Sequence, residues 1–146
     1  MDKLISLAQA HKGIVEMPLL YQKVLSSFDL YDVVKFAKNL ASLYNDTVIP
    51  HFDFEEKEIF PPALAKGEAG CQTLIQSLLD EHKEMSDKFI RIKELAQKLG
   101  SDPAAAAQKE KDNLAALCNE VCRQLTEHAQ KEDEQLFPYL RNIDYK

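Results

Sequence analysis

The chain has 146 residues, of which 45% are hydrophobic, with four glycines and no tryptophan. This length suffices for one hydrophobic core, so we expect residues 1–146 to form a single domain. The 18 basic and 24 acidic residues give a net charge of −6, which argues against a nucleic-acid partner because such proteins present basic surfaces.

Two amphipathic helices are predicted in the first half of the chain. The first runs from about residue 3 to 25, with apolar residues at helical spacing. The second begins near Asp29, a suitable N-cap, and contains Pro50, which removes one helical hydrogen bond and predicts a kink. The Pro61-Pro62 pair is expected to end this helix, because the residue before a proline disfavours the helical conformation.

Two further helices are predicted in the second half. The third runs from about residue 72 to 99, and Gly100 is expected to follow it as the C′ residue. The fourth begins at a cap, Ser101 or Asp102, and continues to about residue 136. Four amphipathic helices joined by short loops predict an all-α fold, an up-down-up-down four-helix bundle.

The remaining composition bears on compartment and membrane. No stretch of about 18 apolar residues occurs, so no membrane-spanning helix is predicted. The chain enters its first amphipathic segment directly, without a secretory signal. Its three cysteines are an odd number without a disulfide framework, which is typical of a reducing compartment. We therefore expect a cytoplasmic protein.

One motif, H-x-x-x-E-[ED]-x-x-x-F-P, occurs twice. The first copy begins at His51 and places Glu55 four residues later, and the second begins at His128 and places Glu132 at the same spacing. Residues i and i+4 lie on one face of a helix. An imidazole and a carboxylate spaced in this way can therefore reach one metal ion.

The other two histidines complete a symmetric pattern. His11 lies on the first predicted helix and His82 on the third, so each precedes one copy of the motif. A single H-x-x-x-E pair is often only a surface hydrogen bond, but this arrangement includes every histidine of the chain. We predict one metal centre in the bundle, with the ligands His11, His51, Glu55, His82, His128 and Glu132.

The donor set indicates which metal this centre binds. Two histidines and one carboxylate from each half match non-haem iron sites that keep open positions. Two such halves predict two iron ions bridged by glutamates. A solvent-derived oxo or hydroxo bridge would add a ligand and still leave a position for O₂, NO or peroxide. A single zinc ion is the alternative, because histidine and carboxylate suit it too.

The sequence resembles the hemerythrin-like, HHE cation-binding domains over nearly its whole length. The resemblance rests on His11, on both motif copies with their Phe-Pro ends, and on the pairs Glu81-His82 and Glu127-His128. It implies a four-helix bundle around a non-haem di-iron centre. It implies no particular substrate.

Within that family, the ligand pattern is similar to the di-iron domain of iron–sulfur cluster repair proteins that respond to nitric oxide and oxidative stress. Oxygen carriers have a further histidine one turn from that of the third helix, where this chain has Leu78 and Ser86. The resemblance implies redox chemistry with O₂, NO or peroxide, and an iron–sulfur protein or electron donor as partner. Reversible O₂ or NO binding, storage or sensing is the alternative. Repair proteins usually add an N-terminal segment with a cysteine pair, which we do not expect ahead of His11.

The carboxylate ligand of the fourth helix has two candidates. Oxygen-carrying members have an aspartate five residues after the fourth-helix histidine, and Asp133 stands at that position. On a helix, Glu132 is offset by about 40° from His128, and Asp133 by about 140°. The geometry and the match with Glu55 favour Glu132, and Asp133 is the alternative.

Several other side chains have two interpretations. Glu81 and Glu127 each precede a histidine. Each is either a hydrogen-bond partner of a histidine or a proton relay at the site, or a solvent-exposed residue, which is the favoured interpretation. Tyr44 is either a core residue or part of the pocket lining. Cys118 and Cys122 lie one turn apart on the fourth helix, where buried thiols are expected rather than ligands or a redox pair.

Overall fold

The structure is a computed structural model, and the part of the chain that it describes comprises residues 2–22, 30–101, 108–141 and 143. Every regular element in this part is helical, and the helices form the predicted all-α four-helix bundle. None of these helices combines the length and the apolar character needed to cross a membrane. Of the predicted caps, Asp29 and Asp102 lie outside the described residues, and Ser101 is the last residue of the third helix.

Four helices build the bundle. α1 is Asp2–Gln22 and α3 is Ala69–Ser101. α2 covers residues 30–65 and α4 residues 108–140, and each joins α-helical and π-helical stretches end to end. A short turn connects α2 to α3, and Gly67 in this turn has a φ of 74°, a conformation that favours glycine.

π-Helical turns interrupt α2 twice and α4 once. They are Tyr44–Val48, Glu55–Ile59 and Glu132–Leu136. After each turn, the next residue donates its backbone N–H to the carbonyl five residues earlier, and the residue after that is a proline, namely Pro50, Pro61 or Pro138. A proline in a regular α-helix clashes with the carbonyl four residues before it. The wider π-turn moves that carbonyl away, so the helix continues past the proline.

Two predicted helix ends are wrong. α2 does not end at the Pro61-Pro62 pair but continues to Ala65, because the π-turn Glu55–Ile59 accommodates the proline. α3 includes Gly100 and ends at Ser101, so Gly100 is a helical residue rather than a left-handed cap. The interruption predicted at Pro50 takes the form of a π-turn.

Two apolar clusters fill the interior. The larger contains Phe89, Met85 and their neighbours from α2 and α4, and the smaller contains Leu78 and residues from the other end of the bundle. On each helix, the buried histidine lies between residues of the two clusters, as His82 lies between Leu78 and Met85 on α3. The clusters therefore enclose a polar layer at the level of the four histidines.

Candidate metal centre

The six residues predicted as ligands meet in this polar layer. All six side chains are buried, and the two glutamates have no exposed surface. They are His11 from α1, His51 and Glu55 from α2, His82 from α3, and His128 and Glu132 from α4. Ionisable groups in an apolar interior are costly unless other charges or a metal satisfy them. Their burial together indicates a site rather than six separate structural roles.

The ligand atoms form two groups that share both glutamates. The α1–α2 group comprises His11, His51, Glu55 and Glu132, and the α3–α4 group comprises His82, His128, Glu55 and Glu132. Within each group, the ligand atoms all lie within 4.8 Å of one another. The two helical hairpins thus supply two histidines each, and the two glutamates lie between them.

In the α1–α2 group, three contacts join imidazole and carboxylate. His51 Nε2 lies 3.3 Å from Glu55 Oε1 on the next turn of α2. His11 Nε2 lies 3.2 Å from Glu132 Oε2 and 3.6 Å from Glu55 Oε2. Both histidines therefore turn Nε2 toward the shared carboxylates.

The α3–α4 group repeats this arrangement. His128 Nε2 lies 2.5 Å from Glu132 Oε1, and His82 Nε2 lies 3.2 Å from Glu55 Oε1. The Nε2 atoms of His82 and His128 are 3.1 Å apart. Two nitrogens that bind one metal at about 2.1 Å and at right angles would be separated by about 3 Å. The spacing of the two imidazoles is therefore compatible with a shared metal ion.

The buried atoms at the centre lack conventional partners. His11 Nε2 and both carboxylate oxygens of Glu55 and of Glu132 have no hydrogen-bond partner, since the nearby ring nitrogens approach them without hydrogen-bond geometry. Buried polar atoms of this kind are rare and costly. Cations between the two groups would satisfy all of them at once. The residues present therefore fit a metal centre.

The acidic residue that follows each shared glutamate lies outside the centre. Glu56 accepts a hydrogen bond from Nδ1 of His82 at 3.4 Å, and Asp133 accepts one from Nδ1 of His11 at 2.9 Å. Their side chains are 46% and 47% exposed. Asp133 thus contacts the outer edge of a histidine, whereas Glu132 is the carboxylate that faces the centre. The second acidic position of the motif is the sequence signal for these contacts.

Glu81 holds a third histidine from outside. It accepts a hydrogen bond from Nδ1 of His128 at 3.0 Å. Lys131 donates to the other oxygen of Glu81 at 2.6 Å and to Ser77 at 2.7 Å. Of the two interpretations of Glu81, the histidine partner is therefore the right one. Glu127 instead pairs with Arg123 in solvent.

Burial and neighbouring charges shift the pKa values of three side chains at the centre, Glu55, His11 and His128. Burial opposes ionisation of Glu55, but three surrounding imidazoles outweigh it and hold its pKa well below the usual value. Burial lowers the pKa of His128, whereas for His11 the carboxylates of Glu55 and Asp133 outweigh burial and raise the pKa. Metal binding requires the anionic form of a glutamate and the neutral form of an imidazole, so the shifts of Glu55 and His128 favour it and the shift of His11 opposes it.

A surface cleft between α2 and α3 borders one of the six central residues, His82. Its volume is about 610 Å³, and its lining includes Tyr44, Phe52 and His82. Phe52 stacks on the imidazole of His82 with ring centroids 3.9 Å apart, and Tyr44 stacks on Phe89 at 4.7 Å. Tyr44 therefore both packs against the core and lines the cleft that borders His82.

The two cysteines of α4 lie in the larger apolar cluster, away from both ligand groups. Cys118 and Cys122 have no exposed surface, and burial raises the pKa of each thiol to about 12. Thiols with such a pKa stay protonated at neutral pH and are poor metal ligands. Their packing agrees with the expectation of buried, unreactive thiols.

The chain was compared with models of protein families, with curated proteins and with solved structures, and one family model matches it. The family model of the hemerythrin HHE cation binding domain matches residues 4–140. No curated protein and no solved structure matches the chain significantly. The matched span begins in α1, ends at the last residue of α4 and includes all six residues of the two ligand groups.

Proposed function

The chain belongs to the hemerythrin HHE cation-binding family, and on that premise we propose that its centre binds two iron ions, one in each ligand group. The observation that carries this proposal is the presence of Glu55 and Glu132 in both groups. Carboxylates shared in this way bridge metal pairs in helical bundles.

Glu132 gives the clearest support for bridging. Its Oε2 lies 3.2 Å from Nε2 of His11 in the α1–α2 group, and its Oε1 lies 2.5 Å from Nε2 of His128 in the α3–α4 group. The two oxygens therefore face histidines of different groups. This orientation favours Glu132 over Asp133 as the ligand of α4.

The donor atoms favour iron over a closed zinc site. Four imidazoles and two carboxylates surround the centre without a thiolate, whereas structural zinc takes four ligands that are often thiolates. Nitrogen and oxygen donors that leave positions open are typical of non-haem iron. We propose iron for this reason and because the family binds cations.

We further propose that the centre reacts with O₂, NO or peroxide, in the response to oxidative or nitrosative stress or in the repair of iron–sulfur clusters. Bound iron would supply the electrons and the open coordination positions for this chemistry. The six ligand residues hold the ions, and the apolar clusters on either side exclude bulk water. The cleft at His82 admits a small reactant, and an iron–sulfur protein or electron donor completes the cycle in a reducing, cytoplasmic setting.

The surroundings of His82 argue against an oxygen carrier. The position one turn before it is Leu78, which is fully buried in the smaller apolar cluster. The position one turn after it is Ser86, which lines the cleft. Neither can supply the further histidine that distinguishes oxygen-carrying members, so we propose a reactive centre rather than a reversible store.

Stopped-flow spectroscopy separates these functions. The reduced, iron-loaded protein is mixed with O₂ or with NO, and the zinc-loaded protein serves as the redox-inactive control. We expect rapid conversion to a diferric spectrum that persists after O₂ is removed. A spectrum that returns to the reduced form on removal of O₂ would establish a reversible binding module instead. Absence of any change with either gas would contradict both functions.

A further inference from the structure

The two hairpins are equivalent in their ligands. On α1 and α3, Leu7 and Leu78 occupy the same position four residues before the histidine, and both are fully buried. The paired imidazoles have almost equal separations, with ring centroids 4.9 Å apart for His11 and His51 and 4.8 Å apart for the pair of the α3–α4 group. The residues outside the ligand groups, by contrast, differ in kind between the two hairpins.

Among the described side chains, the support of His128 has no counterpart in the first hairpin. Glu81, directly before His82, accepts a hydrogen bond from His128 and is held by Lys131. The corresponding residue directly before His11 is Ala10, and Phe54 corresponds to Lys131 within the motif. Both members of the Glu–Lys pair are thus replaced together by apolar side chains.

Among the described side chains, His51 consequently has no outer carboxylate. Its one carboxylate contact among the described side chains is the inward one to Glu55, from Nε2. The methyl group of Ala10 cannot accept a hydrogen bond from Nδ1, whereas Nδ1 of His128 has the carboxylate of Glu81 at 3.0 Å. Of the four histidines, His51 is the one that no described carboxylate orients from outside.

Ring packing adds to the difference, and the remaining contacts do not reverse it. Phe52 stacks on His82 with an interplanar angle of 7°, but the corresponding residue of the second motif copy is Ala129. The outer bonds of His11 and His82 are alike in kind, at 2.9 and 3.4 Å, each to the acidic residue after a shared glutamate. The main difference between the two ligand groups is therefore at His51, the histidine without an outer carboxylate among the described side chains.

We propose that the two metal positions are unequal, with the position of the α3–α4 group binding metal first and more tightly, and that of the α1–α2 group filling second and releasing first. The inference rests on the proposed two-metal function. A carboxylate on the outer nitrogen fixes the tautomer and orientation of a histidine ligand and increases its basicity. Among the described side chains, both histidines of the α3–α4 group have one, whereas the α1–α2 group has one on His11 alone.

Anaerobic titration of the metal-free full chain with Co²⁺, followed by visible absorption and calorimetry, tests this order. Two binding steps are expected. Because two bound cations repel each other, two binding steps would also be seen at two equivalent positions. Variants of the outer residues therefore identify which position fills first. Glu81→Ala should weaken the first step by about 10–100-fold. The matched control Glu127→Ala removes an exposed glutamate that pairs with Arg123, and it should change neither step.

A gain of affinity provides the opposite test. Ala10→Glu introduces a carboxylate at the position that corresponds to Glu81, and Ala10→Gln is its uncharged control. The carboxylate should tighten the second step by about tenfold and shift the cobalt absorption of that step, whereas the amide should do less. Circular dichroism of each metal-free variant verifies that the helices are retained.

The outcomes separate this inference from the two-metal proposal. If two equivalents of Co²⁺ bind but Glu81→Ala weakens the second step, the proposed inequality is overturned and the two-metal proposal stands. The same holds if two equivalents bind and neither Glu81→Ala nor Ala10→Glu changes either step. Saturation at one equivalent per chain in the unmodified protein would overturn the two-metal proposal and the inequality with it. Opposite, step-specific effects of Glu81→Ala and Ala10→Glu are the expected result.

Discussion

The two copies of the motif, residues 51–61 and 128–138, build the same inner layer of the site within different surroundings. In each copy the histidine and the glutamate are buried, a π-turn follows, and the next acidic residue contacts a histidine on a neighbouring helix. Around the second copy, Glu81 holds His128, but the position that corresponds to Glu81 in the first half of the chain is Ala10. The motif thus determines the ligands, whereas their support depends on residues of the adjacent helix.

The largest expected effect tests what the copies have in common. Glu55→Ala and Glu132→Ala each remove a carboxylate shared by both ligand groups, so each should reduce bound iron from two ions to below one per chain. Glu56→Ala and Asp133→Ala remove only outer contacts and should weaken binding by about 10–100-fold while two ions still bind at saturation. Elemental analysis of the iron-loaded variants measures this. A greater loss from Asp133→Ala than from Glu132→Ala would reverse the assignment on α4.

Removing the metal should affect both copies together. The metal-free protein should stay helical, because the two apolar clusters do not depend on the site. Free iron at 100 times its dissociation constant would stabilise the folded state by about 2.7 kcal/mol. For a chain of this size, that shift corresponds to a rise in Tm of about 5–10 °C.

Thermal melts followed by circular dichroism, with and without ferrous iron under anaerobic conditions, test this coupling between metal and fold. The matched control is the Glu55→Ala variant, whose Tm should respond little to iron. If the Tm of the unmodified protein does not change with iron, the six buried side chains do not bind iron at a shared centre.

The helices and the pairing of buried histidines with glutamates were predictable because both follow from the period of the α-helix. Apolar stripes define the four helices, and the i,i+4 pairs bring His51 to Glu55 and His128 to Glu132. The π-turns were not predictable on that basis, since a count of 3.6 residues per turn contains no wider turn. The prediction that α2 ends at Pro61 failed because a regular turn was assumed before the proline.

The outer contacts were only partly predictable, for a geometric reason. Glu81 and Glu127 both directly precede a histidine, so their local sequence positions are identical. Glu81 reaches His128 on α4, whereas Glu127 lies in solvent beside Arg123. Which of the two faces another helix depends on the neighbours that α3 and α4 have in the bundle, and this information is not in the local pattern.

A smaller effect concerns the support that only the second copy has. The hydrogen bond from His128, together with Lys131, lowers the pKa of Glu81 from 4.5 to about 2. A lowered pKa means that the carboxylate stabilises the fold above its usual pKa and loses this contribution as the pH falls toward 2. In the metal-free protein, Glu81→Gln should lower the free energy of unfolding by about 1 kcal/mol near pH 6.

Urea unfolding of Glu81→Gln and the unmodified protein at pH values from 6 down to 3 measures this contribution. The difference between the two should be constant above about pH 4.5 and shrink below it. Glu127→Gln, the exposed control, should change the free energy of unfolding by less than about 0.5 kcal/mol. A constant difference between Glu81→Gln and the unmodified protein at all these pH values would contradict the role of the ionised carboxylate.

The smallest effect concerns the thiols of α4, which have no counterpart on α2. Cys118 and Cys122 stand where α2 has Ala41 and Asn45. A pKa of about 12 keeps both thiols neutral at pH 8, and thiolate is the form that reacts. Iodoacetamide should therefore leave both unmodified in the folded protein and alkylate them in urea. Peptide mapping that finds either residue alkylated without urea would show that these thiols are accessible.

Mössbauer spectroscopy of the protein loaded anaerobically with ⁵⁷Fe²⁺ and then oxidised tests the central claim most directly, namely that the two motif copies build one bridged two-iron centre. We predict two irons per chain and a diamagnetic, exchange-coupled diferric signal, because Glu55 and Glu132 each belong to both ligand groups. One iron per chain, or two irons with the magnetic spectrum of isolated ferric ions, would contradict the claim.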